Sequence, residues 1–184
     1  MDTKLKADIA ESAVITELLK RGFNVLKPVG DRLPYDLAID LHGSLVRLQV
    51  KCAWFNEKDE AYYVDVRRTK TNRRQMIRKR YGLNDFDFAI LFILESHVFY
   101  IIPISAFMGF SSTISLVETK KRQREPKSRE YRERWDFLSA WASQAEMVES
   151  TSVKFGEALN GNTEPSPANG GKGVETRWRT SSVV

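Results

Sequence analysis

The stretch DLAIDLHGSLVRLQVKCAW, residues 36–54, decides the fold. Apolar and polar residues alternate along it in two runs that meet at Gly43-Ser44. Alternation marks a half-buried strand, because side chains switch faces at every residue. A glycine followed by a small polar residue suits a two-residue hairpin turn. A turn at Gly43-Ser44 sets Leu41 opposite Val46, Ile39 opposite Leu48 and Leu37 opposite Val50, which makes one apolar face. The other face then holds Asp36 opposite Lys51, Ala38 opposite Gln49, and Asp40 opposite Arg47, the last an ordinary cross-strand ion pair.

Upstream, Asp2 to Arg21 reads as a helix. Leu5, Ile9 and Ala13 recur every fourth residue, with Ala10, Val14 and Leu18 beside them. Asp2 or Thr3 can cap its start, and Gly22 supplies a left-handed stop. Phe23 to Leu26 reads as a short strand. Downstream, Ala61 to Arg68 is a further strand, and Phe86 to Leu94 and Val98 to Ile102 are buried strands joined by a turn at Glu95 to His97. Ile104 to Met108 is ambiguous. Tyr131, Trp135, Leu138 and Ala142 return at helical spacing, which predicts a late helix over Arg129 to Glu146. Asn160 to Gly173 is dominated by Asn, Gly, Pro, Ser and Thr, too polar to order itself. The expected organisation is one domain over residues 1–150 and a disordered tail over 151–184. The order of helix, strands, hairpin, strands and helix gives an α/β or mixed α+β fold with a central mixed β-sheet.

The polar face of the hairpin gathers chemistry. Pro34-Tyr35-Asp36 leads the first strand, and Gln49-Val50-Lys51 lies on the second. Gln49 and Lys51 are two apart and point the same way, with Asp36 brought beside them. A carboxylate is a hard-oxygen ligand for Mg²⁺, and the Gln49 amide oxygen and the Val50 carbonyl can add uncharged oxygens. A lysine next to such an ion can align a water, stabilise charge on a pentavalent phosphorus, or act as a base if its pKa is depressed.

This arrangement resembles the PD-(D/E)xK nuclease superfamily on Pro34, Asp36, Gln49 and Lys51, together with Glu11 on the preceding helix. Within it, the order Glu11, Asp36, Gln49, Lys51 is most similar to the homing endonucleases encoded in cyanobacterial group I introns, over roughly residues 1–150. The resemblance implies a restriction-endonuclease-like fold, a central mixed sheet flanked by helices. It implies metal-dependent hydrolysis of DNA phosphodiesters at an intron insertion site, with one or two Mg²⁺ per site. It implies Glu11, Asp36, Gln49 and Lys51 as catalytic residues, with Asp36, Glu11, Gln49 and the Val50 carbonyl on the metal. Gln49 departs from the broad pattern, because it occupies a position that is usually acidic and removes one negative charge.

Charge points the same way. The chain has 184 residues, 42% hydrophobic and 29% charged, with net charge +5. The segment Arg67 to Tyr81 alone carries +8, which leaves −3 for everything else. Arg67, Arg68, Lys70, Arg73, Arg74, Arg78, Lys79 and Arg80 form a concentrated phosphate-binding footprint. Asn72 and Gln75 among them can read adenine edges. Double-stranded DNA is the expected partner. One chain offers one candidate site, so cutting both strands requires a homo-oligomer, a dimer or tetramer. A structure-specific nuclease such as a Holliday junction resolvase, or a non-catalytic DNA-binding module on a degenerate nuclease fold, is the competing reading. A single cysteine, Cys52, excludes an internal disulfide framework and a cysteine-based zinc cluster. It is expected to be a buried structural thiol in a reducing cytoplasm. The longest apolar run, Phe88 to Leu94, is too short to span a bilayer, and the basic segment has too few apolar groups to insert into one. His42 and His97 lack metal-ligand spacing, and Phe86, Phe88, Phe92, Phe99 and Tyr100 are expected in the core.

Overall fold

The chain begins with helix α1, Thr3–Lys20. Ala10, Val14 and Leu18 are its buried stripe, while Leu5 is 49% exposed. Asp2 takes the N-cap position without a side-chain capping bond. Gly22 ends the helix at φ +82°, a conformation that costs a residue with a Cβ about 1–2 kcal/mol. A computed structural model describes residues 2–30, 32–41, 43–71, 76–119 and 125–141. They fall within one compact unit, Met1–Met147. The expected tail, 151–184, lies outside the described residues.

Ten strands follow. They are β1 (Asn24–Leu26), β2 (Leu37–Leu41), β3 (Ser44–Cys52), β4 (Trp54–Asn56), β5 (Ala61–Asp65), β6 (Arg67–Thr71), β7 (Met76–Arg80), β8 (Phe88–Ile93), β9 (Val98–Pro103) and β10 (Thr113–Leu116). The central sheet has the order β1-β2-β3-β8-β9. Its β3–β8 pair is parallel and its other pairs antiparallel, so the sheet is mixed as expected. The sheet is buried on both faces, which explains why β8 and β9 read as unbroken apolar runs. One face, with Ile39, Leu48 and Ile90, packs on α1 and on Trp135 and Leu138. The other, with Leu91 and Ile102, packs on the short helix α2 (Ile104–Phe107) and on a second sheet, β10-β5-β4. The five aromatics expected in the core are all there.

The hairpin register differs from expectation by two residues. Leu37 pairs with Leu48, Ile39 with Val46 and Leu41 with Ser44. The strands therefore turn over positions 42 and 43, not at Gly43-Ser44. His42 itself lies outside the described residues. A two-residue shift keeps every side chain on its own face, so the apolar pattern fits both registers equally well. The turn decides between them: Gly43 takes φ +90° and its N–H donates to Asp40 Oδ1 at 3.0 Å. With Asp40 engaged there, the expected Asp40–Arg47 pair does not form. Arg47 instead bonds Asp87, Nη2 to Oδ1 at 2.8 Å, tying β3 to the start of β8.

The late helix also begins later than expected. Lys127–Tyr131 is a 3₁₀ turn, Glu133 has φ +54°, and helical residues start at 136. Residues 132 and 133 instead cover the edge of β9: Glu133 N–H donates to the Phe99 carbonyl, and Phe99 N–H to Glu133 Oε1, both at 2.8 Å. Edge groups left bare would need other partners. Residues 142–146 of the expected helix lie outside the described residues.

Because Gly43 holds a positive φ, Gly43→Ala is expected to lower stability by about 1 kcal/mol, read as an earlier urea midpoint. An unchanged midpoint would show that the turn does not demand this conformation.

Candidate active site

Asp36 stands one residue before β2. Its N–H donates to the Leu48 carbonyl at 3.0 Å, so the backbone is already in the ladder. Its side chain folds back across the same pair, where Oδ2 accepts from Val50 N–H at 2.8 Å and also from Gln49 Nε2. Gln49 Nε2 reaches the Val50 carbonyl as well, at 3.2 Å. The observed register, unlike the expected one, makes Gln49 and not Lys51 the neighbour across from Asp36. Alternation still delivers Lys51 to the same side. Its Nζ donates to the Arg67 carbonyl at 3.2 Å and lies 5.2 Å from the centre of the Tyr81 ring.

These groups line a cleft of about 600 Å³. Glu11 lines it too, immediately after Ala10 of the buried stripe. Its Oε2 is bonded by Lys27 Nζ at 2.7 Å, an ion pair in which Lys27 is largely exposed. Glu11 is near enough to raise the Asp36 pKa. Cys52 lines the cleft as well and is half-buried, not fully buried as expected.

Burial works against both charges. It pushes the Asp36 carboxyl up to about 6, against the Val50 hydrogen bond that favours the ion. It pushes the Lys51 amine down to about 8, although Asp36 and Asp65 favour its charged form. Between these values Asp36 is a carboxylate and Lys51 an ammonium.

The donor set suits a hard cation. Gln49 Nε2, a partial positive charge, touches two oxygens, Asp36 Oδ2 and the Val50 carbonyl. Turning the amide by half a rotation puts Oε1 there instead, and the three oxygens then converge. All are ligands for Mg²⁺ or Ca²⁺, and none is a soft ligand. Among the described residues no three His, Cys, Asp or Glu side chains cluster to hold a metal. A cation here would need amide and carbonyl oxygens beside the carboxylates of Asp36 and Glu11.

The basic segment forms an antiparallel ribbon, β6 with β7, beside the cleft. Arg67 and Arg68 line the cleft itself. Arg68 Nη2 donates to the Leu33 carbonyl at 2.8 Å and Arg80 Nη2 to the Ser111 carbonyl. Arg78, Lys79 and Arg80 are exposed. Asn72, Arg73, Arg74 and Gln75 lie outside the described residues, as does the Lys70 side chain. Two cleft residues carry no signal in the sequence. Asp65 is a single acid at a strand end, and Tyr81 reads as the apolar close of a basic run, yet both face Lys51.

His97 sits in its expected turn at φ +53°, edge-on to Phe92 and Phe99. Among the described residues no helix is long and apolar enough to cross a membrane.

Residues 1–138 match the family model described as PD-(D/E)XK endonuclease. A solved structure described as that of a bacterial homing endonuclease, I-Ssp6803I, is 50% identical to this chain. The match covers 79% of this chain and 99% of that one, with a TM-score of 0.73. A search of curated proteins returns no match.

A carboxyl must lose its proton to bind a cation. Calcium affinity measured by calorimetry is therefore expected to weaken as pH falls through about 6, the value to which burial raises Asp36. Affinity that stays flat from pH 5 to pH 7 would place the ligand elsewhere.

Proposed function

The chain belongs to the PD-(D/E)XK endonuclease family, and from that premise we propose that it is a site-specific homing endonuclease hydrolysing double-stranded DNA at an intron insertion site. The observation that carries this reading is the meeting of Asp36, Gln49 and Lys51 in one cleft beside a cationic ribbon. The half-identical bacterial homing endonuclease supports it. So does the order Glu11, Asp36, Gln49, Lys51, which resembles that of homing endonucleases encoded in group I introns.

Asp36, the Val50 carbonyl, Gln49 and Glu11 would hold one or two divalent cations, with Mg²⁺ the expected ion. When bound, such a cation supplies positive charge against the scissile phosphate and acidifies a water. Glu11 reaches this role by sharing its carboxylate with Lys27 or releasing it. Lys51, charged below about pH 8, donates towards the attacking water or the developing charge on phosphorus. Its bond to the Arg67 carbonyl and its place over the Tyr81 ring limit the directions in which it points. The β6–β7 ribbon takes the phosphate backbone, with Arg67, Arg68, Arg78, Lys79 and Arg80 as contacts and Lys70, Asn72, Arg73, Arg74 and Gln75 completing the set. Two copies are needed to cut two strands, so the working form is a dimer or tetramer acting on DNA in the bacterial cytoplasm. The endonuclease domain is taken as residues 1–150; residues 151–184 lie outside the described residues.

Incubation with Mg²⁺ and DNA of the intronless host locus is expected to give one discrete double-strand cut. Strong preference for four-way junctions without sequence preference would move the assignment to a resolvase. Duplex binding with neither cleavage nor cation binding would leave a DNA-binding module. Lys51→Ala is expected to lower the cutting rate by about 100-fold or more while leaving duplex affinity in Ca²⁺ largely intact. The wild-type rate is expected to fall above about pH 8 as Lys51 loses its proton. A rate that climbs through that pH would overturn the proton-donating role of Lys51.

A further inference from the structure

Asp65 closes β5 with its side chain on the cleft that holds Lys51. Its Oδ1 accepts from Arg67 N–H at 2.8 Å and from Arg67 Nε at 3.1 Å, and its Oδ2 accepts from Arg67 Nη2 at 3.4 Å. Arg78 Nη1 stands 4.0 Å from Oδ2. Arginines from both strands of the ribbon thus converge on one carboxylate. A backbone phosphate offers guanidinium groups the same pair of charged oxygens.

The ribbon needs such an anion. Its register sets Arg67 opposite Arg80 and Arg68 opposite Lys79. Like charges directly opposite each other destabilise a strand pair. Burial pushes the Asp65 carboxyl up, but the bonds from Arg67 outweigh it and hold the group below the ordinary carboxylate range. Asp65 is therefore an anion at neutral pH, built into a surface otherwise shaped for anions from outside.

We propose that Asp65 is a specificity-determining residue that stands in for a DNA phosphate, occupying Arg67 and Arg78 in the free protein and yielding them to a well-placed duplex. The proposal rests on the endonuclease reading above and adds an internal competitor to it. Random duplex must exchange partners with Asp65 for part of its phosphate contact, so its net gain is small. A fitted target, held by further contacts, makes the exchange complete. The exchange is also sensed at the centre of the site, because the Arg67 carbonyl accepts the bond from Lys51 Nζ.

Asp65→Asn keeps an oxygen for Arg67 N–H but removes the charge. Fluorescence anisotropy with random-sequence duplex in Ca²⁺ is expected to show roughly 3- to 10-fold tighter binding than wild type. The slope of log affinity against log salt is expected to steepen by about one. Asp65→Ser, with a shorter acceptor, is expected to give the same gain if the asparagine variant does not fold. In an Arg67→Gln, Arg78→Gln background the substitution at 65 is expected to change nothing. An unchanged or weaker affinity in a folded variant overturns the proposal, and so does an equal gain in both backgrounds, which would reflect bulk charge alone. Absence of duplex binding by every protein, wild type included, would sink the endonuclease reading together with it.

Discussion

Asp36 sits where the β2–β3 ladder runs out, and two bonds hold it there. Its own N–H reaches the Leu48 carbonyl, and the Val50 N–H returns to its carboxylate. The second bond is what turns a strand end into a site. A free aspartate at a strand end would swing into water. This one is drawn over β3 instead, against Gln49, into a position that is mostly buried. Everything else in the cleft is arranged around that carboxylate. Gln49 faces it across the ladder, Lys51 follows two residues on, and Glu11 approaches from α1. The register that permits these bonds is fixed some distance away, by Gly43 at the turn and by the Arg47–Asp87 pair that anchors β3 beside β8.

The electrostatics of the cleft follow from burying that carboxylate beside an amine. Burial moves each towards its neutral form, Asp36 up and Lys51 down, while their mutual attraction opposes both shifts. A glutamate at position 49 would add a second negative charge directly across from Asp36, raising its pKa further. Glutamine avoids that repulsion and donates a hydrogen bond to Asp36 instead. A cation in this cleft would therefore have fewer charged ligands, with Asp36 and Glu11 as its principal anionic support. The neutral amide thus eases the folding of the cleft and would offer a cation less charge.

Much of this was legible in the residue pattern, and the limits of legibility have physical causes. Alternation along residues 36–54 sorts side chains between faces correctly, because a face depends only on parity. Register depends on the turn, and a shift by two leaves parity untouched, so the pattern could not distinguish Lys51 from Gln49 as the neighbour of Asp36. The late helix was misplaced for a related reason: spacing of apolar residues describes a face, but the bonds of residues 132 and 133 are claimed by the edge of β9. The Asp65–Arg67 bonds span only two residues, but an acid two before an arginine is too common a pattern to single out. What sets Asp65 apart is the approach of Arg78, which depends on the β6–β7 pairing and leaves no local trace.

The ribbon and the cleft are one device, since Arg67 and Arg68 belong to both. Arg67 begins β6, gives its side chain to Asp65 and its carbonyl to Lys51. Its cross-strand neighbour is another arginine, Arg80, whose guanidinium is satisfied only by the Ser111 carbonyl among the contacts described. A carbonyl neutralises no charge. The ribbon therefore carries more positive charge than its own fold balances, and the imbalance lies beside the groups that would cut. Phosphate arriving there would relieve repulsion as well as making contacts, so part of the binding free energy of a polyanion would already be stored in the ribbon.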